Sequence, residues 1–134
     1  MKKFFCFFVL SISSLTSCFG QLSAVDLKKT TIQRGLLKEY YLCVCITEGF
    51  KDKHIAEDDI SQSVYFDILR YSPEALKEVK DSAIKFVETI IEPEPSPIID
   101  LSNKRAVIIR CIEKYRSKEI EKFIKSLDNY LLKD

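Results

Sequence analysis

The feature that most limits this chain is how little of it can break a helix. Its 134 residues include three glycines and four prolines, and three of those prolines are crowded into Pro93-Glu-Pro-Ser-Pro97. Glycine and proline are the strongest local punctuators of secondary structure, so long stretches rich in Lys, Glu, Leu and Ile without them read as helix. The expected fold is all-α: one compact bundle of about five helices.

Thr30 is the expected N-cap of the first helix. Gln33, three residues on, completes a capping box in which two orphan backbone amides are satisfied. Leu37, Tyr41, Val44 and Cys45 follow at helical spacing, and Gly49 is expected in the left-handed position that stops the helix. A second helix is predicted within 53–70, with Ile60, Val64, Ile68 and Tyr71 on one buried face. Ser72-Pro73-Glu74 marks the next start: Ser72 as cap, Pro73 at the first helical position, and Glu74 near the positive helix end. That helix is predicted to run to about Ile91, burying Leu76, Val79, Ala83, Val87 and Ile90, with an Asp81–Lys85 pair outside. The prolines of Glu92-Pro-Glu-Pro-Ser-Pro-Ile-Ile-Asp100 forbid its continuation. A fourth helix over roughly 102–115 carries Ile108, Cys111, Ile112 and Tyr115 on one stripe. Ile120, Phe123, Ile124, Leu127 and Leu131 extend helix towards the C-terminus, with a kink at Ser117.

Lys2 and Lys3, the apolar run Phe4–Leu10 and the small-residue zone that follows have the layout of an export signal. The apolar run is too short for a permanent membrane span, which needs about 20 residues. Two cleavage readings stand. Leu15-Thr16-Ser17-Cys18 has the form of a lipobox, in which Cys18 is lipidated and could anchor the chain to the outer membrane. Gly20-Gln21 would instead suit ordinary signal peptidase. Residues 1–20 are thus assigned to the signal and 21–134 to a single helical domain that is expected to be periplasmic. Without residues 1–17 the chain has 19 basic against 20 acidic residues. The charges are interleaved, as in Lys77-Glu78-Val79-Lys80-Asp81. No basic excess exists to bind nucleic acid.

Export decides how the cysteines are read. Cys43 and Cys45 lie one residue apart, Cys111 is distant, and the single histidine is His54. Zinc needs about four suitable ligands at characteristic spacing. A thioredoxin-like pair needs Cys-x-x-Cys. A nucleophilic Cys needs a placed base, whereas His54 sits in the charged turn Lys51-Asp52-Lys53-His54. In an oxidising compartment a disulfide is the default. Two residues along a helix turn through about 200°, so only one of Cys43 and Cys45 can face the fourth helix. Cys45 shares the core row of Leu37 and Tyr41. The expected bridge is Cys45–Cys111, which leaves Cys43 as a small half-buried apolar side chain or, alternatively, as the thiol of a bridge between two chains.

Tyr41 to Ile46, Cys111-Ile112-x-x-Tyr115-x-Ser117-Lys118-Glu119-Ile120, and the Tyr65 and Tyr71-Ser-Pro-Glu-Ala-Leu76 region between them resemble the immunity proteins of type VI secretion amidase effectors. The resemblance spans roughly residues 35–131. It implies an exported all-α homodimer that binds and blocks a peptidoglycan amidase with a papain-like Cys–His site. The sequence itself shows no phosphate loop, metal cluster or nucleophile elbow, so a binder without cofactor is expected and not an enzyme. Cys43 and the proline-spaced connection depart from the family pattern. The alternative is an envelope lipoprotein or an inhibitor of another wall hydrolase, such as lysozyme.

Two surface expectations follow. Prolines stiffen residues 92–100, and Glu92, Glu94 and Asp100, with Ser96, give the segment an acidic, hydrogen-bonding character. It is the expected inhibitory surface, aided by the turn at Asp52 and His54. Tyr65, Phe66, Ile98 and Ile99 are apolar positions that one small core need not hide, and they point to pairing of two copies.

Overall fold

The computed structural model describes residues 24–51, 55–90 and 105–133. Among the described residues there are six helices: α1 (Ala24–Gly49), α2 (Ile55–Asp58), α3 (Ser61–Ile68), α4 (Pro73–Glu88), α5 (Val107–Arg116) and α6 (Lys118–Ser126). A short 3-10 turn, Asp128–Tyr130, follows. Since α2 is a single turn, the bundle rests on five helices.

α1 is the axis of the bundle, and α3, α4, α5 and α6 all pack on it. Leu37, Tyr41, Val44 and Cys45 are completely buried, but so is Tyr40, which lies off their row. A helix surrounded by four others needs more than one apolar face. At about 1.5–3 kcal/mol per fully buried aliphatic side chain, the contacts of Leu37, Val44, Val79 and Ile120 outweigh the surface ion pairs. One such pair is Lys77–Asp81 at 2.9 Å, an exposed pair that water and salt screen. It forms in place of the expected Asp81–Lys85 pair, because Asp81 reaches back one turn instead of forward.

The start of α1 differs from the expectation. The helix begins at Ala24, so Thr30 is inside it and its hydroxyl donates to the Asp26 carbonyl at 2.9 Å. Thr31 does the same to Leu27 at 2.9 Å. A threonine that bonds one turn back is satisfied within a helix and need not cap it. Gln33, released from capping, reaches across the fold: its Oε1 accepts from the Arg70 amide at 2.8 Å and its Nε2 donates to the Ile68 carbonyl at 3.4 Å.

Gly49 also has a different role. It is the last residue of α1 and is not left-handed. The constraint is space, since a Cβ there would stand 2.2 Å from Val107 Cγ1. Val107 occupies the room a side chain would take, which also corrects the stripe on α5. Val107 and Cys111 are buried, while Ile108 is exposed. Cys111 is tied to α1, and Val107 is the residue one turn before it.

α4 follows the sequence pattern closely. Leu76, Val79, Ala83 and Val87 are buried, joined by Ala75. Pro73 starts the helix, and the Ser72 carbonyl, not its side chain, takes the cap bond from Ala75 at 3.1 Å. The helix ends at Glu88, short of the predicted Ile91. At the other break, Ser117 is a new N-cap and not a kink: its hydroxyl accepts from the Ile120 amide at 3.2 Å. Glu119 and Glu121 in the first turn of α6 complement the helix dipole.

The region predicted as one helix over 53–70 is two. The break falls at Asp59 and Ile60, where the Asp59 carboxylate accepts from both the Ser61 amide at 3.1 Å and its hydroxyl at 2.6 Å. Tyr71 is buried, but Ile60, Val64 and Ile68, expected beside it, face outward. After α3 the chain runs extended against its own C-terminus. The Ser72 amide donates to the Tyr130 carbonyl at 3.0 Å and the Leu132 amide to the Arg70 carbonyl at 2.8 Å. Arg34 grips Asp128 through both carboxylate oxygens, with Nε to Oδ1 at 2.7 Å.

The Gly49–Val107 contact gives a direct test. Gly49→Ala is expected to destabilise the chain by about 1–3 kcal/mol, the usual cost of overpacking. Adding Val107→Ala should return part of that loss, so that the two effects are strongly non-additive in denaturant titrations. Additive losses would show that the glycine is needed for another reason.

Candidate functional site

Cys45 and Cys111, the one pair of site residues that the described structure contains, are joined. Their Cα atoms are 5.9 Å apart, and both side chains are completely buried. The bridge closes 66 residues of sequence separation, worth about 4 kcal/mol on the chain-entropy account. It locks the C-terminal half of α1 to α5.

Cys43 keeps a free thiol, half-buried on the opposite side of α1. Burial pushes that thiol above its ordinary value, and the nearby charges of Asp59 and Glu39 add to the effect. A thiol held protonated by an apolar, acidic setting is a poor nucleophile. This fits the reading of Cys43 as a packing residue.

Asp52, His54, Glu92, Glu94, Ser96 and Asp100 lie outside the described residues, as do Cys18, Ile98 and Ile99. The places where the chain leaves and returns are nevertheless informative. Arg105 Nη2 donates to the Gly49 carbonyl at 3.2 Å. Ile90 and Ala106, on either side of residues 91–104, line one groove. Hence the end of α1 leading into 52–54, the end of α4 and the start of α5 meet at a single pole of the bundle. Sequence spacing alone gave no reason to bring the end of α1 beside the end of α4 and the start of α5.

From that pole a furrow runs between α4 and the α5–α6 corner. Its upper part, about 520 Å³, is bounded by Thr89, Ile90, Ala106, Arg110 and Glu113. Its lower part, about 530 Å³, is bounded by Glu78, Asp81, Ser82, Lys85 and Phe123. Phe86, Thr89, Lys114 and Glu119 belong to both. Lys114 Nζ sits 5.2 Å from the Phe86 ring centre and 2.6 Å from Glu119 Oε1. The cation thus covers an aromatic face that would otherwise meet water. Tyr41 lies buried beneath, its hydroxyl pushed up to about 12 by burial and by the charge of Glu119. That hydroxyl remains neutral throughout the physiological range. The sequence reading missed this furrow, because Phe86 and Lys114 meet only through the α4–α5 packing.

Tyr65, expected to be left uncovered, is instead half-buried against α1, donating to Glu39 Oε2 at 3.0 Å. Phe66 stays exposed but meets the Tyr40 ring edge-on at a centroid distance of 5.6 Å. Among the described residues no group of His, Cys, Asp and Glu is placed to hold a metal ion, and no helix is long and apolar enough to cross a membrane.

The described residues thus define a small all-α bundle stapled by a buried disulfide. The comparison with known families agrees. The model of the type VI secretion system (T6SS) amidase immunity proteins, Tai4, matches residues 35–124, and the chain belongs to that family. No curated protein and no solved structure matches it. The disulfide fits an exported member.

Non-reducing peptide mapping of a chain starting at Gln21 should return the Cys45–Cys111 peptide with Cys43 free. Cys43 is expected to react with a thiol reagent at least about tenfold more slowly in the native state than in denaturant. A Cys43–Cys111 peptide, or equal rates in both states, would contradict the structure.

Proposed function

We propose that this chain is exported to the periplasm, where it binds and inhibits a T6SS peptidoglycan amidase and so protects the cell that makes it. The observation that carries this reading is the family match over residues 35–124, which covers α1 from Gly35 to most of α6. The buried Cys45–Cys111 bond supports it, because a structural disulfide persists in an oxidising compartment. The chain acts by binding and not by catalysis, and it does so as a homodimer.

Residues 92–100 form the inhibitory surface in this proposal, with Asp52 and His54 beside them. Support comes from the pole described above. The described residues on either side of it meet there, Ile90 and Ala106 along one groove and Arg105 on the Gly49 carbonyl. A segment held at both ends on a rigid frame, and stiffened by Pro93, Pro95 and Pro97, loses little conformational freedom on binding. Glu92, Glu94 and Asp100 supply acidic groups, and an amidase that accepts acidic stem peptides offers donors to match them.

The purified chain is expected to inhibit the amidase encoded next to it. Replacing residues 93–97 by a Gly-Ser linker, or Glu94→Lys alone, should weaken binding at least about tenfold by calorimetry, a loss of about 1.4 kcal/mol. If folded variants bind as the parent does, the segment is outside the interface. If the parent leaves the amidase active but blocks a lysozyme, the immunity reading itself fails.

The N-terminal anchor is a separate proposal. Leu15-Thr16-Ser17-Cys18 is the lipidation signal, and Cys18→Ser should move the protein from the membrane fraction to the soluble periplasm. Mass spectrometry finding an unmodified N-terminus at Gln21 would refute lipidation and leave export standing.

A further inference from the structure

The lower part of the furrow between α4 and the α5–α6 corner holds two charges that the fold leaves uncommitted. Asp81 is taken by Lys77 at 2.9 Å and Glu119 by Lys114 at 2.6 Å. Lys85 is exposed and makes no hydrogen bond or ion pair among the described residues. Glu78 forms no ion pair there either, and its Oε1 only accepts from the Tyr130 hydroxyl at 3.1 Å. Both residues line the furrow. They are seven positions apart on α4, nearly two full turns, so they share one face and stand about 10 Å apart along the axis.

A second feature lies between them. Tyr41 is completely buried, and its hydroxyl makes no hydrogen bond. That hydroxyl neighbours Ser82 and Glu119, both of which line the furrow, so it is aimed from the core at the furrow floor. Ser82 follows Glu78 by one turn and precedes Lys85 by one. Native interiors keep few polar groups without a partner, and such a group beneath a groove points to a ligand that supplies one. Phe86 and Phe123 add apolar walls to the same hollow, whose volume of about 530 Å³ suits a small ligand.

We infer that the lower furrow binds a short peptide of about three residues with both ends free, its ammonium group on Glu78 and its carboxylate on Lys85. An extended chain advances about 3.3–3.6 Å per residue, so three residues span the distance between the two charges. The peptide backbone passes over Tyr41 and Ser82, whose hydroxyls can donate to its carbonyls, while its side chains rest on Phe86 and Phe123. A simple anion would be opposed by Glu78, and a simple cation by Lys85. Only a ligand with opposite charges at its two ends satisfies both, and the wrong orientation sets like charges together. The site uses none of residues 92–100 and does not rest on the amidase reading.

Trialanine is the probe, added to the chain starting at Gln21 and followed through amide chemical shifts in a two-dimensional NMR titration. It should shift the amides from Glu78 to Lys85 in a saturable way. N-acetyl-trialanine and trialanine amide each lack one end charge, and each should bind at least about threefold more weakly. Lys85→Glu and Glu78→Lys should each weaken binding at least about tenfold, because each replaces an attraction by a repulsion. Both side chains are exposed, so the melting temperature should stay that of the parent. The double exchange should restore binding, with the peptide reversed. Tyr41→Phe keeps the ring in the core and removes only the hydroxyl. It should lower affinity at least about threefold without lowering the melting temperature, a split that a purely structural role would not produce. No saturable shift up to about 20 mM trialanine would overturn the site. Equal binding of the parent and capped peptides would overturn the roles of Glu78 and Lys85. If trialanine does not bind but Lys85→Glu weakens amidase binding, the furrow belongs to a protein interface and the peptide site is wrong.

Discussion

The seam between α1 and α5 is the constraint on which the other contacts depend. Cys45 is bonded to Cys111, and one turn after Cys45 on α1 and one turn before Cys111 on α5, Gly49 lets Val107 approach the backbone. The covalent link fixes the rotation of both helices, and the missing Cβ fixes how closely they approach. Once the two are set, Leu37, Tyr41 and Val44 have a defined direction in which to bury, and α4 and α6 close around them. The arrangement has little slack, because close-packed interiors respond to a change of a single methyl group.

Polar groups finish what the apolar core begins. Thr47, buried on α1, donates to backbone carbonyls of its own helix at 3.0 and 3.1 Å and accepts from Gln62 of α3. Gln33 and Arg34 sit side by side on α1 and hold different segments: Gln33 the chain after α3, Arg34 the turn at Asp128. Tyr71 and Leu131 then meet in a single antiparallel bridge. These bonds contribute about 0.5–1.5 kcal/mol each, less than the core, but they are directional. They determine where the weaker elements lie, and they explain how α3 is retained without burying a residue.

The same frame separates two surfaces. At one pole, the ends of α1 and α4 and the start of α5 carry the segments proposed to meet the amidase. Along the side, α3 turns its aliphatic stripe outward. The thiol of the half-buried Cys43 is raised by burial and by neighbouring acids.

Much of this was legible in the sequence because it depends on local geometry. The scarcity of glycine and proline requires helices. The 3.6-residue period identifies the buried face of α4, and the rotation between adjacent positions separates Cys45 from Cys43 as the partner of Cys111. The family resemblance was carried by short runs that include the buried Tyr41, Cys45, Leu76, Cys111 and Ile120. The remaining features were decided by what each residue meets across the fold. Thr30 could be a cap or an interior residue, and only the extent of the preceding helix chooses. Gly49 reads as a stop signal, yet its role comes from Val107, 58 positions later in sequence. Ile60, Val64 and Ile68 form a helical stripe on any reading. Periodicity gives the existence of an apolar face but not its direction. That was settled by Gln62 and Tyr65, whose hydrogen bonds to α1 hold the opposite side of the helix inward.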